Sequence, residues 1–133
     1  MKKYLSIFLV VLLLCIISRN LGEAKAPVSP DVVNSISMGR DYQLIVIANR
    51  NTIDDKRAFA EELIQMCVDN TFETIRFSTD FGYPTELRMK VYASEQDWKK
   101  GNDVLMEVKY TQDSLNREYD IVNSPEKFKL VVE

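Results

Sequence analysis

Apolar and polar positions sort the chain into an apolar leader and a patterned domain. From Tyr4 to Ile17 every position but Ser6 is apolar, and Lys2 and Lys3 precede the run. The run is shorter than the ~18–20 residues that a spanning helix needs. Ser18, Arg19 and Asn20 end it, and Gly22, Ala24 and Ala26 follow as small residues. A positive start, a short apolar core and a small-residue exit describe a secretory signal peptide. Residues 1–26 are therefore expected to be a signal peptide or an N-terminal membrane anchor. Pro27, Ser29, Pro30, Asn34, Ser35 and Ser37 break any period, so 27–41 is expected to be a flexible tether. Residues 42–133 are left as one domain.

Within that domain the pattern changes period several times. Tyr42–Ala48 is a continuous β-branched run, the mark of a central strand. Thr52-Ile53-Asp54-Asp55 has capping-box form. From there to Asn70, Phe59, Leu63, Met66, Cys67 and Val68 recur at helical spacing, and Glu61, Glu62, Gln65 and Asp69 take the other side. Strict alternation follows in Phe72–Ser78 and again in Glu86–Tyr92. The pair predicts a hairpin, with its tip at Asp80-Phe81-Gly82-Tyr83-Pro84. Ser94-Glu95-Gln96-Asp97 signals a helical turn ending at Gly101. Val104–Tyr110 and Phe128–Val132 alternate as strands, and Tyr119–Val122 is a candidate short strand.

The expected fold is α+β: one amphipathic helix packed on a curved, mostly antiparallel sheet of four to six strands, ordered β-α-β-β-β-β. One helix cannot cover both faces of a flat sheet of that size, hence the curvature. This order is similar to that of cystatin-like proteins, in element order only. The Gln-x-Val-x-Gly hairpin and the Pro-Trp loop of inhibitory cystatins are absent, so the likeness implies no function.

Composition narrows the chemistry. The chain has 133 residues and no histidine, which removes Ser-His and Cys-His nucleophile pairs and most zinc and haem sites. A net charge of -3 argues against a nucleic-acid binder. Neither a calcium loop nor a Gly-rich phosphate loop is present, so no cofactor or metal is expected. Leu12-Leu13-Leu14-Cys15 resembles a bacterial lipobox and makes Cys15 a candidate lipidation site, although Leu14 is larger than that motif wants. Without a leader, Cys67 is the one remaining thiol, and its apolar neighbours Met66 and Val68 place it in the core.

No catalytic residue stands out. Paired acids far apart in sequence, such as Asp80 and Asp103, are what a histidine-free hydrolase would require. Phe81 and Tyr83, with Asp80, are the leading candidate binding residues, because aromatics on a loop held by a rigid hairpin make good anchors. Trp98 is a second candidate. The expected function is an exported, non-catalytic domain that meets a protein through the 80–84 tip, reaching a membrane only through its N-terminal segment. The alternatives are a small-ligand pocket between helix and sheet, lined by Phe59, Leu63, Ile75, Phe77, Met89 and Met106, and the hydrolase.

Overall fold

The computed structural model describes residues 28–133. The leader and the Cys15 lipidation motif lie outside the described residues. Five strands follow in order: β1 (Asp31–Met38), β2 (Asp41–Ile47), β3 (Glu86–Tyr92), β4 (Met106–Gln112) and β5 (Phe128–Val132). Helix α1 (Lys56–Asp69) lies between β2 and β3, and a short helix α2 (Glu95–Lys100) between β3 and β4. The strands form one sheet in sequence order. β1–β2, β3–β4 and β4–β5 pair antiparallel, whereas β2–β3 pair parallel. The protein is thus α+β with a five-stranded mixed sheet and one main helix, not closed into a barrel.

The segment expected to be a tether holds the first strand. The β1–β2 hairpin turns through two residues, Gly39 and Arg40, with Gly39 at φ +64°. Glycine first in a two-residue loop is the type II′ arrangement, whose twist suits an antiparallel pair. Ahead of β1, Pro30 is buried and the Ser29 carbonyl accepts from Asn49 Nδ2 at 2.8 Å. Asp31 accepts from the Thr74 amide at 3.3 Å and from the Thr74 hydroxyl. A chain pinned this way is part of the domain.

The predicted 72–78/86–92 hairpin does not form. β3 has β2 on one side and β4 on the other, so neither edge is vacant for residues 72–78. A parallel β2–β3 pair needs a long crossover, and α1 with the 70–85 segment supplies it. Phe72 and Phe77 in that segment are buried all the same. The Phe77 ring meets Tyr42 edge-on at 4.8 Å between centroids. Tyr119–Val122 is likewise a turn segment rather than a strand, with Ile121 buried.

Helix α1 starts three residues later than the Thr52 signal suggests. Asp55 is its N-cap, with its carboxylate accepting from the Ala58 amide. Asn70 closes it in the left-handed region. Its buried face carries Phe59, Ala60, Leu63, Ile64 and Cys67. These join Leu44, Val46, Leu87, Met89, Val91, Met106 and Val108 of the central strands in one core cluster. α2 is capped as expected, by Ser94 at its start and Gly101 at its end.

Candidate functional site

Three connections gather at one end of the sheet: the Gly39-Arg40 turn, the 78–85 segment before β3 and the 113–121 segment after β4. Asp80, Phe81 and Tyr83 lie here. Trp98 does not. It sits half-buried in α2, beyond the far end of β3. The seven residues of β3 put about 20 Å between the two ends. Asp103, just before β4, is also at the Trp98 end, so Asp80 and Asp103 cannot act as a pair.

Hydrogen bonds between residues distant in sequence hold the loop end. Asp41 and Thr85 are its two buried polar residues. The Thr85 hydroxyl donates to Asp41 Oδ1 at 2.7 Å, and Arg117 pairs with the other carboxylate oxygen. The Thr85 amide donates to the Arg40 carbonyl at 2.8 Å, and the Ile121 amide to the Pro84 carbonyl at 3.0 Å. Gln112 Nε2 donates to the Thr85 and Tyr119 carbonyls at 2.9 and 2.8 Å, while its Oε1 accepts from the Tyr119 amide. Burial works to raise the Asp120 carboxyl. The Asn123 amide and side chain, the Val122 amide and the Arg40 charge outweigh it and hold Asp120 below the ordinary carboxylate range.

The aromatic loop is fixed on this frame. Its turn closes with the Gly82 amide donating to the Thr79 carbonyl at 3.1 Å. Gly82 has φ +105°, and a Cβ there would come within 2.7 Å of Arg40 Nη1. Its backbone therefore calls for glycine, while the flexible end of Arg40 is free to move aside. Phe81 projects from the turn 89% exposed, and Tyr83 is 36% exposed. Leu115, on the neighbouring loop, is 98% exposed. Sequence patterning missed Leu115, because one leucine in a polar stretch carries no period.

The residues expected to line a ligand pocket are otherwise engaged. Phe59, Leu63, Phe77, Met89 and Met106 are buried members of the core cluster, and Ile75 packs at its margin. A groove of about 260 Å³ lies on the uncovered face of the sheet, bordered by Ile36, Gln43, Ile45, Arg88, Lys90 and Lys109 among others. Its charges are partly matched: Arg88 Nε lies 3.2 Å from Glu86, and Lys109 Nζ lies 3.8 Å from Glu133. Cys67 is buried in the core, where loss of solvation pushes its thiol far above the reactive range. Among the described residues no group of three or more acids and cysteines could hold a metal ion. No helix among them is long and apolar enough to cross a membrane.

No family model, curated protein or solved structure matches the chain.

Proposed function

We propose that this chain is an exported, non-catalytic domain that binds a protein partner outside the cytoplasm through the loop end bearing Asp80, Phe81 and Tyr83. The apolar leader supports export, whether the domain is then released or stays tethered to the outer face of the membrane. We take the sheet to curve onto α1, since a single main helix serves five strands. The observation that carries the binding role is Phe81, 89% exposed on a loop whose backbone is tied to distant parts of the fold. A large apolar side chain on a tied backbone costs less loop ordering on docking than one on a loose segment, which favours it as a binding anchor. Leu115 is a second exposed apolar residue of this end, whose connections also carry the exposed acids Asp80, Asp113 and Glu118 beside Arg40 and Arg117. A partner with an apolar pocket and a basic rim would complement this end.

The test is the double variant Phe81→Ser/Tyr83→Ser, compared with the unaltered chain for partner capture in the cells that make it. Capture should fall at least about tenfold, the loss of one anchor of roughly 1.4 kcal/mol or more, while the domain stays folded and loses about 1 kcal/mol of stability through the partly buried Tyr83. Normal capture by a folded double variant would overturn the proposal.

A further inference from the structure

The two free edges of the sheet are built differently. β5 carries Lys129 within the strand, with Lys127 and Glu133 at its ends. β1 carries no charge from Val32 to Met38. Charged side chains on an edge are a common means of keeping it from pairing with another chain, and β1 lacks them. Among the described residues its protection lies in the first half, where Thr74 bonds to Asp31 and the register shifts between Val32 and Asn34. From Asn34 to Met38 the register with β2 is regular.

That regular half is ready to accept a neighbour. In a ladder closed by a two-residue turn, Met38 and Asp41 are a hydrogen-bonded pair, and alternation makes Ile36 and Asn34 bonded to β2 as well. The N–H and C=O groups of Ser35 and Ser37 therefore face outward. Both serines are exposed and small, so no bulky side chain shields them. On the uncovered face, Ile36 is 60% and Met38 77% exposed, and among the described residues no strand lies beyond them.

We infer that β1 pairs antiparallel with β1 of a second copy of this chain, about a two-fold axis at Ile36. Ser35 then exchanges backbone hydrogen bonds with Ser37 of the second copy, and Ile36 lies against its own counterpart. The edge meets itself, so the contact is isologous and closes as a dimer. An uncharged strand does this without repulsion, whereas β5 pairing with itself would bring Lys129 close to its copy. A few residues a side make an interface of the small class, under about 1,200 Å², so the dimer is reversible. The inference stands apart from the loop-end binding role, since it uses neither Phe81 nor Leu115.

Cysteine cross-linking of the full chain tests it, in a Cys15→Ser background with Cys67 buried. Single cysteines are placed by Asn34→Cys, Ile36→Cys, Met38→Cys and, on the exposed face of α1, Glu62→Cys. Directly opposed residues in a non-hydrogen-bonded pair have Cβ atoms about 4.5–5.5 Å apart, close enough for a disulfide after slight adjustment. Mild oxidation should give at least about five times more dimer for Ile36→Cys than for Glu62→Cys, with position 36 above 34 and 38. Adding Ser35→Pro removes an outward N–H that β2 does not use, and should return the yield to the Glu62→Cys level with the fold intact. Sedimentation of Ile36→Lys is a second measure: it should stay monomeric at concentrations where the unaltered chain dimerises. Equal yields at 36 and 62, a maximum at 34 or 38, or unchanged dimerisation of Ile36→Lys would each overturn the inference.

Discussion

The two ends of the sheet differ in the side chains that tie them. At the α2 end the Ala48 amide donates to the Tyr92 carbonyl at 2.8 Å, and exposed side chains join Asn49 to Ser29 and Thr74 to Asp31. Helix α2 itself is tied locally: Ser94 caps Asp97, Asn102 donates to Asp97 at 2.8 Å, and Gly101 closes the helix. The aromatics of this end, Trp98 and Tyr92, are half-buried. At the loop end the bonds join residues far apart in sequence, with Asp41 and Thr85 at their centre, yet Phe81 and Leu115 project into solvent. An end that serves only to close the core has no need to expose a phenylalanine on a fixed turn. This difference is what favours the loop end as the contact surface in the function proposed above.

Variants at each end sharpen this contrast. The largest effect is expected from Asp41→Ala, which leaves the Thr85 hydroxyl and Arg117 without their acceptor; it should cost about 2–3 kcal/mol in urea unfolding. Gln112→Ala removes the amide that holds Tyr119 and Thr85 and should cost about 2 kcal/mol, read in the same way. At the opposite end Ser94→Ala removes a single local cap and should cost about 1 kcal/mol. The chain's one tryptophan, Trp98, reports that loss by fluorescence. If the local cap proves costlier than the Asp41 centre, the contrast between the ends fails.

Acid should reach the α2 end through Asp97. Ser94 donates to its carboxylate most strongly, Asn102 next, and Lys100 adds its charge, so its pKa lies below the ordinary 3.8. A folded pKa below the unfolded one stabilises fully above about pH 4, and that contribution fades as pH falls through the folded value. Trp98 fluorescence should therefore show a step in strong acid that Asp97→Asn abolishes. The smallest stability effect is expected from Phe81→Ser, within about 0.5 kcal/mol, because so little of that ring is buried.

The helices were largely legible in the sequence, because period and caps coincide: Ser94 and Gly101 sit where the signals put them, and the face bearing Phe59, Leu63 and Cys67 is the buried one. So were β2, β3, β4 and β5, whose alternation or β-branched runs match a pleated sheet. β1 was not. The register shift near Val33 breaks its period of two, and Ser35 and Ser37 occupy the face that would otherwise read as apolar. Gly39 before Asp41 was the available hairpin signal.

The two segments wrongly expected to be strands share a physical cause. Asn70 donates to the Phe77 carbonyl at 3.1 Å and accepts from its amide at 2.8 Å. Gln112 does the same for Tyr119. In each case one side-chain amide satisfies a backbone unit as a neighbouring strand would. The segment can bury apolar side chains without joining the sheet, and an alternation pattern cannot distinguish the two. Of the candidate site, Asp80, Phe81 and Tyr83 were legible as a group because they are neighbours in sequence. Trp98 was a separate candidate near the 94–101 turn, and the length of β3 keeps it apart from that group.

The most direct measurement is position-specific photo-crosslinking in the cells that make the protein, with the photoreactive residue placed at Phe81 in one variant and at Trp98 in another. The account predicts a discrete protein adduct from position 81, and none from position 98. Adducts from 98 and not from 81, or equal labelling at both, would contradict the assignment of the loop end as the binding surface.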